Sequence, residues 1–225
     1  FDKSLEVGFE AEMQEIIKAL PKIKKRILTS ATQSVGIPQF VELKNPTVLN
    51  YLKDNDSSKL TTRTVVSPSK DKLPTLLELL HHIGNKPGIV FCNFKDSIQQ
   101  VSDFLKINNI SHACFHGGME QEKREKELIK FRNGSSQILV ATDLAARGID
   151  VPEIAFIVHY ELPHKEEEYI HRNGRTARMN KGGTAYILKW SDQLLPVFMK
   201  GASIEKLQKS ADKTNNPKWK TIYVS

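Results

Sequence analysis

Residues Ile138 to Asp150, I-L-V-A-T-D-L-A-A-R-G-I-D, decide the fold. The first four are apolar without polar alternation, which is typical of a strand buried on both faces of a parallel sheet. Thr142-Asp143 and a turn that contains Gly148 follow directly. Ligands of such sheets bind at the carboxyl ends of the strands, so this polar turn indicates a ligand-binding edge.

Similar apolar runs recur on both sides of this stretch and alternate with helical patterns. They predict strands at 63–66, 88–92, 111–115, 154–159 and 184–188, and helices at 70–83, 97–107 and 120–132. Strands that alternate with helices form right-handed βαβ units. We therefore predict an α/β domain with a doubly wound parallel sheet and helices on both faces from about residue 60 onward.

The first part of the chain has a different pattern. It predicts an amphipathic helix within residues 1–20 and short strands at 26–30 and 48–52. Residues 53–59 are all polar, with nothing to bury, and predict an interdomain linker.

Composition narrows the class of protein. Hydrophobic residues make up 39% and charged residues 26%, with a net charge of +7 that permits an anionic partner without proving one. No apolar run approaches the roughly 18 to 20 residues that cross a bilayer, so we expect no membrane partner. We also expect the protein to be a monomer. Cys92 and Cys114 lie in apolar runs and are expected to be reduced, which favours a cytoplasmic location.

A second unusual segment is Tyr169 to Arg178, Y-I-H-R-N-G-R-T-A-R. Its three arginines, at intervals of three, would share nearly one face of one or two helical turns. Such a face is either solvated, with an i,i+4 pair between Glu168 and Arg172, or a clamp for phosphate. Gly174 within the cluster favours the clamp, and we expect the arginines to be exposed.

Several motifs of self-sufficient enzymes are absent from the sequence. It has no G-x-x-x-x-G-K-[S/T] loop to bind phosphates, no G-x-G-x-x-G, no Ser-His-Asp nucleophile motif and no zinc spacing. We therefore predict that this domain completes a site that another domain begins.

Short segments in a fixed order resemble a known family. They are Ser30-Ala31-Thr32, Val90-Phe91-Cys92-Asn93, Gln121 with Arg124, Ala141-Thr142-Asp143 with Ala146 to Asp150, and His171 to Arg178. They resemble motifs III, IV, IVa, V and VI of DEAD-box ATP-dependent RNA helicases of superfamily 2, whose domains are RecA-like. Phe1 to Phe9 resembles the end of motif II, with Asp2 as its last aspartate. The resemblance implies the tail of a first domain at 1–52, a linker at 53–60 and a complete second domain at 61–225.

The resemblance also implies site residues, which fall into three sets. The catalytic set contains Arg175 and Arg178 as arginine fingers on ATP, together with Asp2, Ser30 and Thr32. The cofactor-binding set is Asp150, Gly148, Arg172 and His171, with Arg172 pairing to an aspartate. The RNA-binding set is Gln121, Arg124, Thr142, Gly117 and Asn93.

The partners implied are RNA, bound without sequence choice, and a first RecA-like domain that holds most of the ATP and Mg²⁺. The 225 residues alone are therefore expected to be inactive. Some positions depart from the family pattern: Asn173 and Ala177 replace the commonest Ile and Gly, Phe94 stands where Thr or Ser is usual, and Gly118 replaces an aspartate.

Other interpretations stay open. Asp150 could cap a turn, Ser30 and Thr32 could cap a strand end, and Arg124 could be an exposed residue of a charged helix. The whole chain could belong to a superfamily 2 DNA helicase or translocase, or could be a non-catalytic RNA-binding module built on a helicase fold.

Overall fold

The computed structural model describes residues 10–21, 23–29, 41, 43, 45–50, 59–146, 154–177 and 182–207. The chain divides into two compact units, Phe1–Asp56 and Ser57–Ser225. Their boundary falls within the segment 53–60 that the sequence predicts as a linker. The assignment of the first unit to a partial RecA-like domain stays a prediction.

The first unit contains one helix, α1 (Glu10–Ala19), among its described residues. The amphipathic helix was predicted from an apolar stripe that includes Met13, Ile16, Ile17 and Leu20. Met13 and Ile17 are half-buried, whereas Ile16 and Leu20 are exposed. Residues 26–29 and 46–50 form no strand. The short strands predicted at 26–30 and 48–52 are therefore wrong for the parts of those ranges that the structure describes.

The second unit is a seven-stranded sheet in which every strand pairing is parallel. Its strands are β1 (Leu60–Ser67), β2 (Gly88–Phe91), β3 (His112–Phe115), β4 (Ile138–Ala141), β5 (Phe156–His159), β6 (Gly183–Trp190) and β7 (Ser203–Ile204). Its helices are α2 (Leu73–Ile83), α3 (Lys95–Ile107), α4 (Gln121–Arg132), α5 (Asp143–Ala146) and α6 (Glu166–Asn173), with a 3-10 helix at Val197–Met199. The strand order is β3-β4-β2-β5-β6-β1-β7. The predicted α/β fold is confirmed.

The core lies on both faces of this sheet because successive side chains of a strand point to opposite sides. In β2, Ile89 and Phe91 belong to one apolar cluster, whereas Val90 belongs to the other. Leu76 of α2 and Ile98 of α3 cover the Val90 side. Phe131 of α4 covers the opposite side. Helices on both faces define a doubly wound sheet, as predicted.

The strand order brings four chain segments side by side at one edge. The carboxyl ends of β3, β4, β2 and β5 are neighbours there. Backbone hydrogen bonds continue past the strand ends, from Thr142 N to Phe115 O (3.3 Å), from Cys92 N to Ala141 O (3.0 Å) and from Glu161 N to Phe91 O (3.2 Å). The residues that follow these strands therefore line a common edge. No helix in the part of the chain that the structure describes is long and apolar enough to span a bilayer.

Candidate functional site

The site is organised around Arg172, near the end of α6. Its side chain is fully buried and donates two hydrogen bonds to the carboxylate of Asp143, from Nε to Oδ1 (2.7 Å) and from Nη2 to Oδ2 (2.6 Å). Nη1 donates to the backbone oxygen of Glu161 (2.7 Å), and Nη2 also donates to Oδ1 of Asn93 (2.8 Å). The guanidinium lies over the ring of Phe91, 5.1 Å from its centre. Two-pronged pairing and four hydrogen bonds in all compensate for burying this charge.

This geometry corrects three expectations for the arginine cluster. Arg172 is 1% exposed, so the cluster as a whole is not a solvated face. Helix α6 ends at Asn173, so Arg172 and Arg175 do not share one face of a helix. Glu168 does not pair with Arg172; its carboxylate accepts the backbone N–H of His164 (3.0 Å) and of Lys165 (3.4 Å) at the start of α6.

The ion pair of Arg172 with an aspartate, which the resemblance implied, is present, and Asp143 is that aspartate. Because the Arg172 side chain has no exposed surface, it supports an organising role better than direct contact with a nucleotide. His171, in the same predicted cofactor-binding set, is half-buried on α6.

Asn93, at the end of β2, belongs to the same network. Its Nδ2 donates to Leu162 O (3.0 Å) and lies 3.2 Å from Nε2 of His164, while its Oδ1 accepts from Arg172. Its backbone N–H donates to Oε2 of Glu161 (2.6 Å). Both ends of the amide are thus engaged within the protein, which favours a supporting role for Asn93 over the RNA contact that the resemblance implied.

Glu161 ties the ends of β2 and β5 together. Besides Asn93 N, its carboxylate accepts the hydroxyl of Ser97 on α3 (2.8 Å). The predicted sets of site residues contained neither Glu161 nor Asp143, although Asp143 lies in the polar turn that the sequence indicated as a ligand-binding edge. The signal that could have found them is their position directly after buried strands whose carboxyl ends meet at one edge.

His159, the last residue of β5, contacts two residues of α6. The sequence predictions did not include it either. It is fully buried, and its Nε2 donates to Oδ1 of Asn173 (3.0 Å) while its ring lies against Tyr169, 5.1 Å between centres. Burial, and then the charge of Arg172, lowers the pKa of His159 to about 3, although the hydrogen bond with Asn173 opposes the shift. The imidazole is therefore neutral at physiological pH. Asn173, which departs from the family pattern, supplies its partner.

A buried lysine joins the ends of β5 and β6 beside this network. Lys72 is 6% exposed, and its Nζ donates to the backbone oxygens of Tyr160 and Leu188. Burial lowers the pKa of Lys72 to about 8, while the charge of Glu161 opposes the shift. A cavity of about 550 Å³ opens next to it, lined in part by Asn93 and Trp190. Because Lys72 is held by carbonyl oxygens, it has a structural role.

Arg175 lies just beyond α6 and is half-buried. Its backbone N–H donates to the oxygen of Arg172 (3.0 Å), so the buried network fixes the chain from which Arg175 extends. The other members of the predicted catalytic set, Arg178, Asp2, Ser30 and Thr32, lie outside the described residues, as do Asp150 and Gly148.

The RNA-binding candidates lie at the ends of β3 and β4. Gly117 is exposed in the turn after β3, and Gln121 begins α4, where its amide donates to Glu125 (2.9 Å). Arg124 lies on the first turn of α4 over the ring of Phe115, 4.8 Å from its centre, and its Nε is buried without a hydrogen-bond partner among the described residues. Thr142 follows β4 and is half-buried. These four residues therefore occupy adjacent positions at one edge of the sheet.

The described residues contain no group of three or more His, Cys, Asp or Glu side chains that could hold a metal ion. The two cysteines are free thiols, with Cys92 buried. Burial raises the pKa of both thiols above the ordinary value. Neither cysteine is suited to act as a thiolate ligand or nucleophile.

Comparison with known proteins agrees with this architecture. Residues 71–180 match the family model of the helicase conserved C-terminal domain. The chain is 36% identical over 182 residues to DEAD-box ATP-dependent RNA helicase 51 of Arabidopsis thaliana, which covers 79% of this chain and 32% of that protein. It is 33% identical over 188 residues to eukaryotic initiation factor 4A of Drosophila melanogaster, covering 82% and 47% respectively.

Among solved structures, the chain is similar to S. cerevisiae Dbp5 bound to RNA and ADP BeF3, with a TM-score of 0.72 and 26% identity. The match covers 82% of this chain and 50% of that one. The fold is thus RecA-like, of the kind found in helicases. The chain contains the C-terminal helicase domain of a DEAD-box protein. It spans about a third to a half of the length of the two curated relatives.

Proposed function

We propose that this chain is the second-domain part of an ATP-dependent RNA helicase that couples ATP binding and hydrolysis to local unwinding of RNA duplexes or remodelling of RNA–protein complexes. The observation that carries the proposal is the buried network in which Arg172 of α6 binds Asp143 and Asn93. Asp143 directly follows Thr142, an RNA candidate, and Arg172 lies three residues before Arg175, an ATP candidate. One rigid network thus connects both proposed sites.

On the ATP side, Arg175 and Arg178 act as arginine fingers. Phosphoryl transfer is catalysed largely by positioning and charge, and an added arginine is worth about 10³ to 10⁵ in rate. The sequence contains no G-x-x-x-x-G-K-[S/T] loop, so the ATP and its Mg²⁺ are held mainly by another RecA-like domain. By resemblance, Asp150 and Gly148 contribute to nucleotide binding, and His171 supports the motif.

The first unit supplies the coupling elements. Asp2 acts as the last aspartate of motif II, and the hydroxyls of Ser30 and Thr32 report the state of the nucleotide to the rest of the protein. These roles, like the assignment of residues 1–52 to the tail of the first domain, are supported by the resemblance of the segments to motifs II and III.

On the RNA side, the protein contacts phosphate and sugar, which carry no sequence information. Gln121 and Arg124 lie on the first turn of α4, where free N–H groups and the helix dipole favour phosphate. The exposed backbone around Gly117 and the hydroxyl of Thr142 extend the same edge. The half-buried guanidinium of Arg124, held over the ring of Phe115, supports Arg124 as an RNA-contacting group because a guanidinium pairs well with phosphate oxygens.

The experiment is Arg175→Ala in a protein that carries both RecA-like domains. We expect ATP turnover with saturating RNA to fall by about 10³ or more, with little change in ATP affinity, because the finger acts in the transition state. Turnover near the normal rate would refute the finger assignment.

The same assay separates the two alternatives. Stimulation by single-stranded RNA but not by DNA supports the RNA helicase. Equal or greater stimulation by DNA supports a DNA translocase. RNA binding by the two-domain protein without any ATP turnover supports a non-catalytic module.

A further inference from the structure

We propose that Gly183 and Thr176 are positioning residues that set the placement of both arginine fingers, an inference that rests on the proposed function. The two residues between Arg175 and Arg178 are Thr176 and Ala177. Whatever fixes this dipeptide therefore fixes the points from which both arginine side chains extend.

Thr176 anchors the dipeptide on the side of β5. It is 3% exposed, and its hydroxyl donates to the backbone oxygen of Ile154 (2.6 Å). The same two residues form an isolated parallel bridge. The chain that leaves α6 is therefore tied to the segment leading into β5, through both side chain and backbone.

Ala177 shows that the dipeptide is held in an unfavourable conformation. Its φ of 55° lies in the left-handed region, which a residue with a Cβ rarely adopts. Such a conformation persists only where the surroundings impose it, and these conformations cluster at functional sites. The family more commonly has glycine here, so this chain needs the surrounding contacts more.

Gly183, the first residue of β6, packs against the dipeptide Thr176-Ala177. A Cβ at this position would lie 2.2 Å from Oγ1 of Thr176 and 2.5 Å from the backbone nitrogen of Ala177. Gly183 cannot move away easily because it is paired with Leu60 of β1 in the sheet. Any side chain at 183 must therefore displace the dipeptide, and with it the arginines.

The neighbouring Gly182 offers a matched control. A Cβ there would meet only the backbone oxygen of Lys59, at an ordinary contact distance of 3.7 Å. The two glycines are adjacent in sequence, but only Gly183 lies against the dipeptide between the arginines.

The test compares Gly183→Ala, Gly182→Ala and Arg175→Ala in the protein that carries both RecA-like domains. A misplacement of about 1 Å can cost about 10² in rate. We expect Gly183→Ala to lower kcat for RNA-stimulated ATP hydrolysis by about 10- to 100-fold, with the KM for ATP within about twofold. Gly182→Ala should stay within about twofold of the unsubstituted protein in both constants.

A second readout separates positioning from general damage. ADP with beryllium fluoride mimics a bound γ-phosphate, which ADP lacks. Gly183→Ala should weaken binding of ADP with beryllium fluoride by about tenfold or more and leave binding of ADP alone unchanged. Equal weakening of both ligands would overturn the inference because it would indicate a general structural defect.

Thr176 keeps the inference testable if Gly183→Ala does not fold. Thr176→Val preserves the shape but removes the hydroxyl that binds Ile154, whereas Thr176→Ser retains the hydroxyl. We expect Thr176→Val to lower kcat severalfold and Thr176→Ser to remain near normal.

If Arg175→Ala abolishes turnover but Gly183→Ala and Thr176→Val do not lower it, the positioning role is wrong and the proposed function stands. If Arg175→Ala retains turnover, the proposed function itself fails.

Discussion

Replacing Asp143 by alanine tests the buried network around Arg172. The substitution removes the carboxylate that accepts two hydrogen bonds from a guanidinium whose side chain is 0% exposed. Breaking a buried ion pair by removing one partner costs about 3 to 5 kcal/mol because the remaining charge is left uncompensated. The Asp143 side chain is 23% exposed, so water can enter where it stood. We therefore expect the lower end, a loss of about 3 kcal/mol in the free energy of unfolding.

A second ion pair in the same domain provides the control. Nζ of Lys126 lies 2.6 Å from Oε1 of Glu122, the same distance as Nη2 of Arg172 from Oδ2 of Asp143, but its side chains are 67% and 79% exposed. Exposed i,i+4 pairs contribute about 0.3 to 0.5 kcal/mol. Glu122→Ala should therefore cost no more than about 0.5 kcal/mol. The two ion pairs have the same N···O distance, but the predicted losses in the free energy of unfolding differ because only one pair is buried.

The assay is urea unfolding of the 225-residue chain followed by circular dichroism. Asp143→Ala should shift the midpoint strongly to lower urea without a change in slope, and Glu122→Ala should leave it almost unchanged. Asp143→Asn, which keeps an acceptor oxygen but no charge, should fall between the two. Equal small losses for Asp143→Ala and Glu122→Ala would refute the argument that Arg172 depends on its buried partner.

Two further predictions concern stability. His159 has a pKa of about 3 when folded against 6.5 as a free group, so the unfolded state takes up the proton first and stability falls as pH drops below 6.5. Between pH 7.5 and pH 5 the free energy of unfolding should fall by about 2 kcal/mol for this reason. Urea unfolding at both pH values should show a smaller fall in His159→Gln. The same pH dependence in both proteins would contradict the burial argument. Gly88→Ala places a Cβ 2.2 Å from the ring of Phe156 and should cost about 1 to 3 kcal/mol in unfolding free energy, whereas Gly182→Ala should cost less than about 0.5 kcal/mol. Similar melting temperatures for the two glycine variants would show that the sheet accommodates the added methyl at position 88.

The sequence predicts an element correctly when the residues that it buries form a local run of apolar side chains. Strand β4 was predicted with its observed bounds because its four residues are all apolar and all buried. Strand β7 was missed because Ser203 and Ile204 are both exposed and make too short a pattern. It is a strand only because it pairs with Arg63 and Thr64 of β1, far away in the chain.

The candidate site, too, could be predicted only in part from the sequence. The residues of the motif VI segment could be recognised from sequence, but the burial of Arg172 could not be. Its partners Asp143 and Asn93 lie 29 and 79 residues earlier, and only the strand order brings them together. Three-residue spacing suggested one helical face, whereas the segment after Asn173 leaves the helix and Thr176 bridges to Ile154. Contacts made across the sheet thus override the local helical pattern.

The central claim is that the arginines of this chain serve a nucleotide held by another domain. The most direct measurement is RNA-stimulated ATP hydrolysis by the 225-residue chain alone and by the same chain joined to a first RecA-like domain that carries a phosphate loop. We predict no RNA-stimulated turnover by the chain alone and clear turnover by the joined protein. Appreciable RNA-stimulated turnover by the chain alone would contradict the claim.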